Sequence, residues 1–156
     1  MGFKSVILVV EDVIKSRKLY EEILGCKITD DFGIYNIGFE GGLALYKKTL
    51  FSDLINSDEV KTRAHNLAVY FEYDDINILW DIIIDNDFEI VHEIKEQTWG
   101  QKIFRFYDYD GHIIEVAENM NMVLKSMYSN GMSVQMISDK TGYTIKDVTR
   151  ILQELN

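Results

Sequence analysis

The chain has 156 residues, of which 47% are apolar, and a formal net charge of −10. This length and apolar content allow one domain with its own core and a small appendage. The negative charge argues against nucleic acid or anionic lipid as a partner for the body of the protein, and it favours small molecules or proteins. We find neither a run of about 18 apolar residues nor a signal-peptide pattern, so we predict a soluble cytoplasmic protein with no membrane association.

The first part of the chain has the pattern of a βαβββ unit. Residues 3–10 are apolar and β-branched, which predicts a strand, and Asp12 is positioned as the N-cap of a helix that Gly25 ends. Three short strands are predicted next, near residues 26–31, 33–39 and 42–48. The polar segment 49–63 is predicted to be a loop or linker.

The same pattern then recurs. A strand is predicted over 65–73, Asp75 is the predicted cap of a second helix, and Asn86 is its predicted left-handed stop. Strands near 88–94, 102–107 and 112–117 follow, and the last two are joined by a tight turn at 108–111. We therefore predict an α+β fold in which two βαβββ units, roughly 1–48 and 64–118, form a curled mixed sheet around a cavity.

Residues 119–156 are predicted to form a helical extension beyond this domain of residues 1–118. Ser133 and Thr144 are predicted helix caps, and the spacing of Ser138, Gly142 and Val148 resembles a helix-turn-helix unit. The segment has four basic and three acidic residues, a net charge of +1. That charge is weak for nucleic acid, so we expect the extension to dock on its own domain or on a partner copy.

Several short motifs carry a family resemblance across residues 3–117. They are Asp12-x-x-x-Ser16-x-x-Leu19-Tyr20 with Leu24-Gly25, Tyr73-Asp74-Asp75-Ile76, Trp99-Gly100, and Asp108-Tyr109-Asp110-Gly111 ahead of Glu115. In this order they resemble the vicinal oxygen chelate superfamily, which includes glyoxalase I, bleomycin resistance proteins and extradiol dioxygenases. Tyr109 stands where that family usually has a proline. The resemblance implies a sheet curled around a pocket, and it implies a homodimer.

The resemblance also implies where a metal would bind. Metal enzymes of the family have ligands on the first and fourth strands of each unit, and these positions match Ser5, Ala44, Ala68 and Glu115. A catalytic divalent metal needs about three carboxylate or imidazole donors, and only Glu115 is one. We therefore predict no family metal and no cofactor. An unconventional site built from His65, His92 and His112 is disfavoured.

Alternation along the predicted strands indicates which side chains line the cavity. With Leu67, Val69, Phe71, Phe104 and Phe106 toward the core, their neighbours face the other way. The predicted ligand-binding residues are Ser5, Tyr46, Asn66, Tyr70, Trp99, Arg105, Tyr107 and Glu115. Two alternatives stay open here: Arg105 and Glu115 pair with each other instead of holding a ligand, and Trp99 is a core or interface anchor instead of a pocket cover.

Three functions are compatible with this pattern. The leading prediction is a metal-free protein of the glyoxalase/bleomycin-resistance type that binds a small organic molecule. The first alternative is a lyase or isomerase of the glyoxalase type, in which Glu115 is catalytic as a general base or as one ligand of a rearranged site. The second is a ligand-responsive regulator that uses its C-terminal helices.

Overall fold

A computed structural model describes residues 2–154. The strands are β1 (Val6–Val10), β2 (Ile28–Asp31), β3 (Asn36–Phe39), β4 (Leu43–Lys47), β5 (Ala68–Tyr73), β6 (Ile90–Glu96), β7 (Lys102–Tyr107) and β8 (Ile113–Glu118). They form two four-stranded sheets in the orders β1-β4-β3-β2 and β5-β8-β7-β6. In the first sheet β1 pairs parallel with β4, and the other pairs are antiparallel. The repeated strand order confirms the predicted α+β fold of two βαβββ units.

Helices connect and follow the strands. They are α1 (Val13–Arg17), which continues in π-helical form over Lys18–Ile23, α2 (Lys48–Ile55), α3 (Ile76–Asp85), α4 (Met120–Ser129), α5 (Val134–Thr141) and α6 (Ile145–Glu154). The predicted caps are confirmed, because Asp12, Asp75 and Ser133 each accept a hydrogen bond from a backbone N–H of the helix that they precede. None of the helices in residues 2–154 is both long and apolar enough to cross a bilayer.

Three local predictions are wrong. The segment 49–63 is not all loop, because α2 occupies its first half. The residue before α2 is Lys47, whose side chain makes no capping hydrogen bond, so the sequence has no N-cap residue that would predict the start of this helix. Asn86 is not left-handed, and the residue with positive φ is Asp87 at 55°. The strand predicted from residue 65 starts at Ala68, and Leu67, expected in the core, is 43% exposed. His65 has a φ of 54°, which an extended strand excludes.

The chain divides into two compact units. The first comprises the residues up to Val69 together with Tyr107–Ile114. Its core contains the buried side chains of Leu8, Val10, Leu19, Tyr20, Ile37, Phe39 and Leu45. Val9 lies between the core positions Leu8 and Val10 but is only half-buried, as the period of two in β1 requires.

The second unit comprises Tyr70–Phe106 and the residues from Glu115 onward. Helices α4 to α6 share a core of Met120, Val123, Leu124, Met127, Ile137, Val148 and Ile151. Trp99, in the turn between β6 and β7, packs against that core. At Gly100, whose φ is 88°, an added Cβ would lie 2.2 Å from Cε of Met127. The extension is thus docked on its own chain at a glycine that leaves room for it.

A buried carboxylate organises the turn at residues 108–111. Oδ2 of Asp108 accepts hydrogen bonds from the Tyr20 hydroxyl and from Nδ1 of His112, each at 2.8 Å. Its Oδ1 accepts from the backbone N–H groups of Asp110 and His112 at 3.0 and 2.8 Å. Because four donors converge on one buried carboxylate, this side chain ties the β7–β8 turn to the helix that carries Tyr20.

We expect Asp108→Asn to lower the free energy of unfolding by about 2–4 kcal/mol, since an amide NH₂ placed against these donors leaves buried groups unsatisfied. Urea unfolding measures the change. The matched control is Asp53→Asn on exposed α2, for which we expect a change within about 0.5 kcal/mol. Equal effects of the two substitutions would contradict the role assigned to Asp108.

The same turn makes stability depend on pH. Burial lowers the pKa of His112, but the hydrogen bond to Asp108 and the charges of Asp108 and Asp110 outweigh it, so the pKa is raised above 6.5. The folded state therefore binds the proton more tightly than the unfolded state. This contribution is fully present below about pH 6.5 and is lost as the pH rises through the folded-state pKa.

We accordingly expect the urea midpoint of the unmodified protein to fall between about pH 6.5 and the raised pKa of His112. In His112→Gln this decrease of the urea midpoint with pH should be absent, even if the substitution changes the free energy of unfolding at every pH. Unfolding curves of both proteins between pH 5.5 and 8.5 provide the comparison. Parallel pH profiles would show that His112 does not carry the effect.

Candidate functional site

A row of polar side chains crosses the second sheet with one residue from each strand. The residues, here called the polar row, are Tyr70 on β5, Glu115 on β8, Arg105 on β7 and His92 on β6. Nε of Arg105 lies 2.6 Å from Oε2 of Glu115, and its Nη2 contacts the same oxygen. Nη1 of Arg105 lies 2.7 Å from Nε2 of His92, which is its register partner on β6. All four residues belong to the second unit.

The Arg105 guanidinium is held at both ends. Nδ1 of His92 lies 2.8 Å from the carbonyl oxygen of Glu93, so Nδ1 carries the hydrogen and Nε2 accepts from Arg105. Glu115 holds the other side of the guanidinium. Arginine has five N–H donors and these contacts use three, which leaves one on each terminal nitrogen. With a third of the Arg105 side chain exposed, those two donors are available to a ligand oxygen.

The cross-strand pair left open by the sequence is therefore formed. The Glu115 side chain is only 18% exposed, and Arg105 compensates its negative charge. Ala44 and Ala68, at two of the family's ligand positions, have no donor atom, and Ser5 offers a single hydroxyl. Within residues 2–154, no cluster of three or more His, Cys, Asp or Glu side chains could hold a metal ion. These residues do not fit the metal that the resemblance implies.

The other predicted site residues are divided between the two units. Ser5, Tyr46, Asn66 and Tyr107 belong to the first unit. There the Tyr107 hydroxyl lies 2.6 Å from Nε2 of His65, and the Arg63 guanidinium lies 4.3 Å from the centre of the Tyr107 ring. Tyr107 thus has contacts of its own in the first unit, while Tyr70, Trp99, Arg105 and Glu115 lie in the second.

A chain of hydrogen bonds links two of the predicted residues in the second unit. Nε1 of Trp99 donates to Oε1 of Gln101 at 2.9 Å, and Nε2 of Gln101 donates to the Tyr70 hydroxyl at 3.1 Å. That hydroxyl donates to Oε1 of Glu72 at 2.9 Å. Burial is the main cause that raises the pKa of Tyr70 to about 12, with Glu72 and Glu115 contributing. Tyr70 therefore remains a neutral donor at physiological pH.

Sequence reasoning missed two participants. Gln101 follows Trp99-Gly100 in a polar turn, where nothing marks it as buried. His92, which the sequence offers only as part of a disfavoured metal site, is half-buried and lies opposite Arg105. The β6–β7 register shifts on both sides of His92, so simple alternation does not identify its partner.

Comparison with known proteins places the fold in a class. The sequence profile of the glyoxalase-like domain matches residues 3–121. Among solved structures, a protein of unknown function from Agrobacterium tumefaciens is 35% identical, with a TM-score of 0.66 over 76% of this chain and 94% of that one. A glyoxalase-related enzyme from Fulvimarina pelagi is 18% identical, with a TM-score of 0.66 over 77% and 89%.

A third structure, lactoylglutathione lyase from Agrobacterium tumefaciens, is 16% identical, with a TM-score of 0.58 over 76% of this chain and 94% of that one. The two enzyme structures share the fold alone at these identities. No curated protein matches the chain. Two βαβββ units with this strand order define a glyoxalase-type fold, and the chain belongs to the glyoxalase-like domain family.

The ion pair of the polar row should be measurably coupled. For Arg105→Met and Glu115→Gln, a double-mutant cycle in urea unfolding should give a coupling free energy of about 1–2 kcal/mol, since the pair is partly shielded from water. The exposed Arg150–Glu154 pair on α6 serves as the control, with an expected coupling of about 0.3–0.5 kcal/mol. Coupling no larger than that of the control would contradict a structured pair.

Proposed function

We propose that the protein binds a small organic molecule in the cavity of its curled sheet, over the polar row, and does so without the family metal. The observation that carries the proposal is the fixed Arg105 guanidinium, which compensates the charge of Glu115. Of the four positions that match metal ligands of the family, that of Glu115 is the one with a carboxylate. An arginine placed there repels a cation and recognises a carboxylate or carbonyl oxygen instead.

The surroundings of the row support a ligand with an apolar body. By the period of two, Ile103 and Ala117 lie on the same sheet face as Arg105 and Glu115, but both are buried and offer a ligand no surface. Tyr70, half exposed on the edge strand β5, adds an aromatic ring. An aromatic ring beside a few oriented polar groups is typical of small-molecule sites. The best-supported ligand is therefore an aromatic or otherwise apolar molecule with one anionic or carbonyl group.

The structure favours neither alternative function. Arg105 compensates Glu115 through Oε2, and within residues 2–154 no cluster of carboxylate or imidazole donors surrounds Glu115, so we do not propose the lyase or isomerase activity. On α6, Arg150 lies 3.1 Å from Glu154, which offsets one of the basic groups that a DNA-binding helix needs. We do not propose the regulator for that reason. Homodimer formation stays a prediction.

The metal-free part of the proposal has a direct test. Titration with Zn²⁺, Ni²⁺, Mn²⁺ and Fe²⁺ in a calorimeter should give no stoichiometric binding at micromolar affinity, because two of the four family positions are alanines. Arg105→Met, which frees Glu115, should behave in the same way, since one carboxylate does not make a site. Stoichiometric micromolar binding to the unmodified protein would overturn this part.

The ligand-binding part is tested with aromatic carboxylates such as benzoate and 4-hydroxybenzoate, after native mass spectrometry of the purified protein for copurified molecules. We expect Arg105→Gln to weaken binding of the carboxylates by about tenfold or more, because it removes a charge-assisted donor pair. Arg150→Gln, on exposed α6, should leave the affinity unchanged. If Arg105→Gln binds the carboxylates as tightly as the unmodified protein, the site is not at the polar row.

A further inference from the structure

One cavity of the second unit, of about 330 Å³, has three aromatic side chains in its lining. Its lining residues, here called the aromatic cavity, are Tyr70, Glu72, Trp99, Gln101, Met120, Thr141 and Tyr143. They come from β5, the β6–β7 turn, the start of α4, and the end of α5 with the turn that follows. The volume suits a small ligand. Of the polar row only Tyr70 is among the lining residues, so this cavity shares one residue with the row but does not include Arg105, Glu115 or His92.

The hydrogen-bond chain already described occupies the polar edges of two of these rings. The Trp99 N–H is bonded to Gln101, and the Tyr70 hydroxyl is bonded to both Gln101 and Glu72. Gln101 is itself buried and also donates to the carbonyl oxygen of Glu118 at 2.7 Å, which anchors the chain. The rings therefore have their π-electron faces, and not their donors, to offer to a bound molecule.

The charge of the lining has one sign. Glu72 is its one acidic side chain, and the seven lining residues include no lysine or arginine. Glu72 also lines a neighbouring cavity together with Asp74 and Asp75, which extends the negative potential. The net charge of −10 raises the local concentration of cations further. Lys140, which lies beside Gly100 outside the lining, pairs with Glu96 at 3.9 Å. A cation in the cavity would meet aromatic side chains and a carboxylate.

We propose that the aromatic cavity binds an organic ammonium cation, with a quaternary or methylated ammonium group held between Tyr70, Trp99 and Tyr143 and compensated by Glu72. Such a group has few or no N–H donors, so aromatic faces recognise it better than hydrogen-bond acceptors do. The carboxylate of Glu72 has further lone pairs beyond the one that accepts from Tyr70. This goes beyond the proposed function because it concerns a different cavity and the opposite ligand charge.

The proposal also gives the C-terminal extension a role. Thr141 and Tyr143 lie beyond residues 3–121, the part that matches the glyoxalase-like domain. The core of α4 to α6, packed on Trp99, brings these two residues to the cavity wall. The site is therefore incomplete without the helices that this chain adds to the domain.

The experiment uses the full chain with choline and its uncharged isostere, 3,3-dimethylbutan-1-ol. Calorimetry should show saturable 1:1 binding of choline, with the isostere weaker by about tenfold or more, because only the cation gains from the aromatic faces and Glu72. Choline should also perturb tryptophan fluorescence through Trp99. Equal binding of the two compounds, or no saturation by choline at tens of millimolar, would overturn the proposal.

Variants locate the site. Tyr143→Leu and Glu72→Gln should each weaken choline binding by about fivefold or more. Tyr128→Leu, at an exposed tyrosine of α4 outside the cavity, is the matched control and should have no effect. Arg105→Gln should not weaken choline binding, whereas it should weaken carboxylate binding, which separates this site from the one proposed for carboxylates. Unchanged binding in both Tyr143→Leu and Glu72→Gln would show that choline binds elsewhere.

Discussion

The ion pair between Arg105 and Glu115 sets the arrangement of charge across the second sheet. A carboxylate at this position suits a metal when other donors surround it, but here a guanidinium on the neighbouring strand compensates it. His92 then holds the guanidinium from the far side, so the charge cannot swing away from the sheet. Because oriented donors lose little freedom on binding, a fixed arginine is a better receptor for an oxygen atom than a mobile one.

The glyoxalase-like fold is therefore used here with different chemistry at its ligand positions. The family membership rests on residues 3–121 and on the repeated strand order. Fold does not carry function across, because function resides in the side chains of the site. Two alanines and one compensated carboxylate change what the sheet can bind while leaving its backbone pairing unchanged.

The C-terminal helices contribute residues to the wall of the aromatic cavity as well as to the core of the second unit. Trp99 packs on their common core while its N–H begins the hydrogen-bond chain through Gln101 to Tyr70. One side chain thus couples the packing of the extension to the orientation of the edge strand β5. Gly100 allows this, because a side chain at that position would collide with Met127.

Much of the fold could be predicted because it rests on local signals. Strand alternation, the caps Asp12, Asp75 and Ser133, and the turn at 108–111 are properties of a few neighbouring residues. Helix α2 could not be predicted because no side chain caps its first turn. The start of β5 could not be predicted because His65 has a positive φ, and the sequence has no glycine at that position that would indicate it.

The sequence by itself determined the class of the fold, the face on which Tyr70, Arg105 and Glu115 lie, and the lack of donors at positions 44 and 68. Only the tertiary structure decided that Arg105 pairs with Glu115, that His92 completes the row, and that Gln101 is buried. The physical reason is that these contacts join residues on different strands. Their partners depend on register shifts and on packing against α4 to α6, which no local pattern encodes.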